Sequence, residues 1–483
     1  MKPNVLLVIL DSVRAKNMSI YGHSRETTPF LSQFSDRAYV YEQARSPGSE
    51  SHNSHASIFT GLHVEEHNID DVSDKLSPGH SIWESLGEAG YETAVFSSNA
   101  FLTEADVGLK DTFGTVVTGE RELIPFRDAL NPFDYADSFG GADLSSFLAD
   151  AVMNRRPIRS LLNGLSVKLD TEGVWLPAPI RPRPRSAALY LQQFLNWEQS
   201  QDGPWAACIN FMDAHLPYEP DADFDKWGDE ETRELMEEIG QGVWSFYSGD
   251  RDWGQKEALE DLYDGCIRQV DAAIEQLVSA LERRDEFDNT MLVIMADHGE
   301  GFGERSEIRD VRSSAHGPSG GPEEGILHVP LIAKYPGQTK GGRVSRLATT
   351  RHFPRAVDAA LDGDQSAEAF TDKEVLSTVT PMRTLAEERA SEYLDSFESF
   401  KTPTRVLYRD DGEKIVKVLQ WGSEIRKYIC TDAQTIETTA VSLADETRIG
   451  ERFEEITDAG VRETVTSEVD SDVMRRLEDL GYA

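Results

Sequence analysis

Two apolar stretches of the chain each lead into side chains that can bind a metal ion. Residues 290–295 read Thr-Met-Leu-Val-Ile-Met, and after one alanine the chain continues with Asp297 and His298. The amino-terminal stretch, residues 4–10, reads Asn-Val-Leu-Leu-Val-Ile-Leu and leads into Asp11. In an open α/β sheet, ligands and metal ions bind at the carboxyl ends of buried strands. We therefore expect these two carboxylates and the imidazole to form one metal site, as in an enzyme.

The elements that must position these side chains alternate between strand and helix character. Short apolar runs predict core strands, and runs with helical spacing predict the helices between them. Together they favour a large, mostly parallel α/β sheet flanked by helices. The predicted strands are Asn4–Asp11, Glu92–Ser98, Trp205–Met212, Thr290–Asp297 and Val329–Tyr335, and the predicted helices are Pro29–Ala38, Ile82–Ala89, Ala187–Glu198, Lys256–Arg284 and Phe353–Leu361.

The length of 483 residues predicts one large and one small domain. We assign residues 1–365 to the catalytic α/β domain, with an irregular, proline-rich insertion at about 100–190, and residues 366–483 to a carboxyl-terminal α+β subdomain. This subdomain is predicted to contain a small antiparallel sheet and a helix. Its strands are expected at Arg405–Arg409, Lys414–Leu419 and Ile425–Ile429, and its terminal helix at Val473–Leu480.

The charge of the chain is strongly negative. It carries 86 acidic against 48 basic side chains, for a formal net charge of -38. Self-repulsion on this scale destabilises a compact state unless salt screens it. We interpret the acidity as adaptation to a salty cytoplasm, as in an archaeal halophile, with an acidic face for a basic partner as the alternative. Nucleic acid is disfavoured as a partner because no basic patch is visible.

The cysteines and the amino terminus predict a cytoplasmic protein. Cys208, Cys266 and Cys430 are far apart and have no metal-like spacing, so they are expected to be reduced and buried. No signal peptide and no apolar stretch of membrane-spanning length is visible. The oligomeric state is left open.

A short helix is predicted at Ser54–Thr60, where Gly61 ends it. The free N–H groups at its amino end suit a tetrahedral oxyanion. The serines near this end are also typical helix caps, so the residues alone leave capping and catalysis open.

Several motifs resemble those of the sulfatase family in the alkaline phosphatase superfamily. Their order and spacing hold from residue 4 to about 336, with a weaker echo to the end of the chain. The resemblance implies an alkaline-phosphatase-like fold. The motifs are Asn4-Val-Leu-Leu-Val-Ile-Leu-Asp11-Ser-Val-Arg14, Tyr21-Gly22, Thr28-Pro29, Ser54-His-Ala-Ser-Ile-Phe-Thr-Gly61, Glu66-His67, Phe211-Met-Asp213-Ala-His215-Leu-Pro217-Tyr218, Ala296-Asp-His-Gly-Glu300, His328-Val-Pro330-Leu-Ile and Arg476-Leu-Glu-Asp-Leu-Gly-Tyr482.

The resemblance implies that Ser51 is the nucleophile, nine residues before Thr60. Many sulfatases convert a cysteine or serine at this position to formylglycine within a Cys/Ser-x-Pro/Ala-x-Arg signature. This chain reads Ser51-His-Asn-Ser-His55 and has neither the proline nor the arginine. We therefore expect an unmodified Ser51 hydroxyl, activated by a bound metal ion.

The family's metal ligands correspond to Asp11, Asp297 and His298, with Ser51 as the fourth. Ser12 stands where many calcium-dependent sulfatases have a second acid, and His298 stands where those proteins often have an asparagine. Compared with calcium-dependent sulfatases, this site has one carboxylate fewer and one imidazole more. This disfavours calcium, which prefers many oxygen ligands. The expected cofactor is one divalent metal ion, with manganese, zinc or magnesium favoured over calcium.

Two histidines match family positions that contact the substrate. His215 and His316 are expected to hold non-bridging oxygens and to protonate the leaving alcohol. Three further residues are predicted to contact the metal ligands without binding the metal ion themselves: Ser12, His55 and Asp213.

The function implied by the resemblance is metal-dependent cleavage of sulfate esters, through Ser51 and a covalent intermediate, on a small-molecule or glycan substrate. Unmodified serine suits phosphoryl transfer better, so a phosphodiesterase or a phosphoglycerol- or phosphoethanolamine-type transferase is the first alternative. The second alternative is an inactive relative that binds glycans, because a fold does not by itself establish activity.

Overall fold

The computed structural model describes residues 2–118, 124–126, 128–132, 135, 144–171, 186–239, 242–312, 314 and 320–464. Two earlier predictions, the role of His316 and the terminal helix at Val473–Leu480, lie outside these residues.

Eight of the described strands form one large sheet. Its order is β5-β4-β6-β1-β7-β8-β2-β9, so the first strand of the chain lies in the middle. All neighbouring pairs are parallel except those that β8 makes with β7 and β2. These strands are β1 (Asn4–Leu10), β2 (Tyr39–Arg45), β4 (Glu92–Phe96), β5 (Thr115–Val117), β6 (Trp205–Phe211), β7 (Thr290–Met295), β8 (Leu331–Lys334) and β9 (Gly342–Thr349), and the short β3 (Asp74–Leu76) lies outside the sheet.

The predicted mostly parallel sheet is confirmed, with corrections toward both edges, one of which is the unpredicted edge strand β5. The strand expected at Val329–Tyr335 is the shorter β8 and runs antiparallel. Strands β2 and β9 were not predicted. Both carry several polar residues, including Glu42 and Gln43 in β2, so neither forms the continuous apolar run that indicates a strand buried on both faces.

Helices cover both faces of this sheet. In β1, Leu6, Val8 and Leu10 point into one apolar cluster, and Val5, Leu7 and Ile9 point into another on the opposite face. The described α-helices are Pro29–Phe34, Ser51–Thr60, Val64–His67, Ile82–Glu88, Ala100–Thr103, Leu144–Met153, Pro157–Thr171, Ala187–Glu198, Glu230–Ile239, Trp244–Tyr247, Trp253–Ala258, Glu260–Arg283, Glu324–Leu327, Phe353–Leu361, Thr384–Tyr393 and Leu443–Glu454.

Three helical predictions need correction. The long helix expected at Lys256–Arg284 is two helices that meet at Leu259. The helix expected to begin at Ser54 begins at Ser51. The stretch of about 100–190 that was expected to be an irregular insertion contains helix Ala100–Thr103 and the sheet strand β5, and the insertion proper, between β5 and β6, contains helices Leu144–Met153 and Pro157–Thr171. Within the described residues, no helix combines the length and the apolar character needed to cross a membrane.

The carboxyl-terminal region forms a separate antiparallel sheet, as predicted. It contains β10 (Glu374–Val379), β11 (Thr404–Asp410), β12 (Ile415–Trp421), β13 (Glu424–Cys430) and β14 (Ile436–Thr439) in sequence order. Helix Leu443–Glu454 packs Ile449 and Phe453 against this sheet. The last described strand, β15 (Arg462–Thr464), pairs with β3 in the amino-terminal part of the chain. The exact division at residue 365 stays a prediction.

Candidate active site

The three predicted metal ligands meet at the carboxyl ends of β1 and β7. These strands are parallel neighbours, with Ile9 opposite Met295. Asp11 and Asp297 each follow two residues later, so both residues lie at the same level just beyond the carboxyl ends of their strands. One ligand atom from each of Asp11, Asp297 and His298 lies within 4.8 Å of the other two, and all three residues are buried.

The donor chemistry of this cluster fits a divalent cation. Two buried carboxylates so close together repel each other unless a positive charge lies between them. Within the described part of the chain, Asp297 Oδ2 has no hydrogen-bond partner. His298 Nδ1 lies 2.7 Å from the Gly299 carbonyl oxygen, which can only accept, so Nδ1 carries the proton. His298 Nε2 is thereby left with its lone pair, as in a metal-binding histidine.

Ser51 lies beside this cluster, as the first residue of its helix. The side chain is fully buried, and its Oγ is 3.2 Å from His298 Nε2. The first N–H groups of a helix have no carbonyl partner within that helix and attract anions. The Ser51 hydroxyl therefore lies where a helix amino end and a candidate cation site meet.

The two carboxylates have opposite pKa shifts. Burial raises the pKa of Asp11, but His215, His298 and His55, together with a hydrogen bond from Asn210, outweigh burial and hold the pKa below its usual value. Burial and the neighbouring Asp11 raise the pKa of Asp297, against the opposing effects of the histidines and the Ser51 hydroxyl. Asp11 is thus the carboxylate more strongly held in its charged form.

Two asparagines support Asp11, and sequence reasoning missed both. Asn99 Nδ2 donates to Asp11 Oδ2 over 2.9 Å, and Asn210 Nδ2 donates to the same oxygen over 3.1 Å. Asn99 follows the carboxyl end of β4, and Asn210 lies near the end of β6. A polar residue at the end of a predicted core strand was the available signal.

Ser12 and His55 also lie against the cluster. The Ser12 N–H donates to Asp297 Oδ1 over 3.3 Å, and its hydroxyl donates to Asp11 Oδ1 over 3.2 Å. His55 Nδ1 lies 2.6 Å from the Ser51 carbonyl oxygen and 3.7 Å from Asp297 Oδ2. Their predicted supporting role is compatible with these contacts.

The structure separates His215 from Asp213. His215 is buried and acts electrostatically on Asp11, and its Nδ1 lies 2.8 Å from the Leu216 carbonyl oxygen. The Asp213 carboxylate instead accepts from the Ala187 N–H over 2.8 Å and from Gln269 Nε2 over 2.6 Å. The described contacts of Asp213 therefore hold the start of helix Ala187–Glu198 and do not reach the metal ligands.

The backbone turn that follows Asp11 is held in place by hydrogen bonds to a buried tyrosine. Ser12 has a φ of 61°, a left-handed conformation that costs energy for a residue with a side chain. The Tyr263 hydroxyl donates to the Ser12 carbonyl oxygen over 2.7 Å and accepts from the Arg14 N–H over 2.8 Å. This buried tyrosine bridges the residues on both sides of the turn and fixes the direction in which Asp11 leaves its strand.

Comparisons with known proteins agree with this fold. The profile of the family described as Sulfatase matches residues 3–362. An arylsulfatase of Clostridium perfringens is 22% identical over 373 residues, 72% of this chain and 71% of that protein. The phosphonate monoester hydrolase of Agrobacterium radiobacter has a TM-score of 0.60 at 16% identity and covers 94% of each chain. That of Silicibacter pomeroyi has a TM-score of 0.61 at 15% identity, covering 97% of this chain and 100% of that one. At such identities the two structures show a shared fold.

Proposed function

The chain belongs to the sulfatase family, which is metal-dependent, and from this premise we propose that it cleaves sulfate esters with Ser51 as nucleophile. Family membership shows that the protein is an enzyme that hydrolyses sulfuric or phosphoric esters. The proposal adds the ester class, the nucleophile and a covalent intermediate on Ser51. The proposed substrate is the sulfate ester of a small molecule or a glycan.

One observation carries the assignment of the nucleophile. Ser51 Oγ lies 3.2 Å from His298 Nε2, in the same buried cluster as Asp11 and Asp297. The helix that begins at Ser51 has its amino end at the same place, and N–H groups in the first turn of a helix can stabilise the oxygens of a tetrahedral sulfate group. Attack by this hydroxyl, which loses its proton, forms the new S–O bond while the bond from sulfur to the departing alcohol breaks. Water then attacks the sulfur of the Ser51 ester, releases sulfate and restores the hydroxyl.

Asp11, Asp297 and His298 are the residues that would hold the metal ion. When bound, a divalent metal ion lowers the pKa of a nearby hydroxyl and offsets the negative charge of the transferred group. A set of two carboxylates and one imidazole favours manganese, zinc or magnesium over calcium.

The leaving alcohol needs a proton, and we assign this role to His215 and His316. His215 Nδ1 donates to the Leu216 carbonyl oxygen, so a proton for the leaving alcohol would come from Nε2 of the imidazolium form. The role of His316 is assigned from the sequence resemblance alone.

The test compares nitrophenyl sulfate with bis-nitrophenyl phosphate, each with manganese, zinc, magnesium and calcium. We expect turnover of the sulfate ester and, in Ser51→Ala, a loss of roughly a thousandfold or more in kcat. Ser57→Ala is the matched control, because Ser57 is equally buried on the same helix but contacts His67 instead of the cluster. Equal activity of Ser51→Ala and wild type would refute the proposed nucleophile.

A second function, phosphodiester cleavage or phospho-group transfer, is favoured by the chemistry of residue 51. Formylglycine hydrate can release sulfate by breaking its own C–O bond, whereas an unmodified serine ester cannot. The chain lacks the proline and arginine of the modification signature after Ser51. Turnover of the phosphodiester alone would establish this function in place of the first. Glycan binding without turnover of either ester would instead indicate an inactive relative.

A further inference from the structure

The insertion between β5 and β6 carries an unusual concentration of exposed apolar side chains. Nine large apolar residues are exposed in the described part of the chain, and five of them lie on helices Leu144–Met153 and Pro157–Thr171. We call these two helices the hairpin and residues 152–159 the hairpin tip. The five residues are Leu148, Val152, Met153, Ile158 and Leu165.

The inner face of the hairpin is already covered. Phe147 and Ala151 pack with Tyr135, Leu130 and Leu161 in a small apolar cluster of their own. The five exposed residues therefore lie on the remaining surface, and the spacing of Leu148 to Val152 and of Ile158 to Leu165 places each pair on one face of its helix.

The exposed residues are concentrated at the hairpin tip. Met153 is 85% exposed, Ile158 is 73% exposed and Val152 is 59% exposed. Side chains of this size in water are unfavourable, and a contiguous group of them marks an interaction surface.

The charge of the hairpin tip is opposite to that of the protein. Residues 152–159 contain three arginines and no acidic residue, while the whole chain has a net charge of -38. Arg156 and Arg159 share Asp128, at 3.0 and 2.6 Å, and Arg155 makes no ion pair with any described residue. After Asp128 is counted, the hairpin tip keeps a net positive charge.

We propose that the hairpin tip docks on the surface of an anionic phospholipid bilayer. Apolar side chains flanked by arginines are typical of segments that lie in the interface of a membrane. The arginines attract anionic headgroups, while Met153 and Ile158 enter the boundary between headgroups and acyl chains. The hairpin docks on the surface and does not span it.

A second copy of this chain fits the hairpin tip less well. A symmetric dimer through this surface would bring Arg155 and Arg156 of both copies together, and like charges across an interface are unfavourable. The rest of the protein is strongly acidic and is repelled by an anionic bilayer, whereas the positively charged hairpin tip is attracted to it.

Docking through the hairpin tip would also orient the candidate active site. Strand β5 runs parallel to β4, so the insertion leaves the sheet at its carboxyl edge. It returns at Ala187, whose N–H is held by Asp213 just after β6. Both ends of the insertion therefore lie at the edge of the sheet that carries Asp11.

The test measures how the full-length enzyme co-floats with vesicles of phosphatidylglycerol or of phosphatidylcholine at about 0.1 M KCl, where charges still interact over about 10 Å. We expect wild type to bind the anionic vesicles about tenfold more tightly than the neutral ones. Met153→Ser combined with Ile158→Ser should lower binding about tenfold, and Arg155→Glu should lower it by a similar factor, about tenfold. Leu443→Ser is the control, because Leu443 is 77% exposed but lies outside the hairpin.

Turnover of a soluble nitrophenyl ester should be unchanged in all these variants, which shows that they are folded. Equal binding to both vesicle types, or undiminished binding of the hairpin variants, would overturn the proposal. So would a change from dimer to monomer in sedimentation velocity for the Met153→Ser, Ile158→Ser variant, because the hairpin tip would then be covered by a second copy.

Discussion

Three histidines around the candidate metal site share one arrangement. The Nδ1 atoms of His55, His215 and His298 each lie within 2.8 Å of a backbone carbonyl oxygen. Each Nδ1 therefore donates, so metal binding or proton exchange at each imidazole is left to Nε2. The backbone thus selects the tautomer of all three imidazoles before any metal ion or substrate binds.

Asn99→Ala tests the role of the asparagines beneath Asp11. Its amide donates to Asp11 Oδ2, and removing such a support typically weakens metal binding by about 10- to 100-fold. We expect a loss of this size in the affinity for Mn²⁺, measured by isothermal titration calorimetry. Asn289→Ala is the control, because its amide donates to the Lys2 carbonyl oxygen far from the site. Wild-type affinity in Asn99→Ala would contradict the supporting role.

The sequence was sufficient to bring Asp11, Asp297 and His298 together, because each follows a recognisable apolar run. It was insufficient for Asn99 and Asn210. An asparagine after a strand is more often a helix cap, and the side-chain Oδ1 of Asn99 does cap the next helix by accepting from the Phe101 N–H. One side chain serves both roles, and only the three-dimensional position of Asp11 reveals the second.

At the scale of elements, the loop after β7 that carries Asp297 and His298 depends on a close contact between two backbone segments. A Cβ at Gly299 would overlap the Gly325 carbonyl oxygen and would press on the Arg14 side chain. The Gly299 N–H also donates to the Ile326 carbonyl oxygen over 2.7 Å. Only glycine allows this approach directly beside His298.

Gly299→Ala should therefore lower the free energy of unfolding by about 1–3 kcal/mol. It should also weaken metal binding, because the neighbouring His298 must shift. Urea denaturation followed by circular dichroism measures the first effect. Gly87→Ala is the matched control, since Gly87 lies in helix Ile82–Glu88 with no atom near its missing Cβ. A Gly299→Ala protein as stable as wild type would contradict the close packing.

The central strands were predictable and the outer ones were not. Strands β1, β6 and β7 are buried along their whole length, so their apolar runs stand out. Strand β2 is only partly apolar, and β10 was not among the strands predicted for the carboxyl-terminal sheet. The hydrophobic pattern of the sequence identifies strands that are buried on both faces. The other strands are determined by the neighbouring strands with which they pair.

At the scale of the whole molecule, buried ion pairs join the carboxyl-terminal sheet to the catalytic part. Lys417 of β12 is fully buried and lies 2.7 Å from Glu307 Oε2 and 2.9 Å from Glu324 Oε1. Arg45 of β2 contacts the other oxygen of Glu324 at 2.8 Å. The two sheets are thus linked by charges that water does not screen.

Lys417→Met should remove the positive charge between two buried glutamates. Breaking a buried ion pair on one side costs about 3–5 kcal/mol, and we expect an unfolding free energy lower by that amount. Thermal and urea unfolding measure it. Lys414→Met, at an exposed position three residues earlier, should leave stability unchanged. Unchanged stability in Lys417→Met would show that the linkage contributes little.

The net charge of -38 predicts that salt stabilises the fold. We expect the melting temperature to rise by roughly 5–10 °C between about 0.1 M and about 2 M KCl, because screening weakens self-repulsion. Differential scanning calorimetry measures this rise. A melting temperature that falls with KCl would contradict the interpretation of the acidity as halophilic. That origin and the cytoplasmic location stay predictions.

The central claim is that the Ser51 hydroxyl, unmodified, attacks the ester. Intact and peptide mass spectrometry of enzyme quenched during turnover tests it most directly. We predict that the resting peptide has the mass of plain serine and that turnover of nitrophenyl sulfate adds about 80 Da on Ser51. A resting peptide lighter by ~2 Da, as formylglycine requires, or an adduct on another residue would contradict the claim.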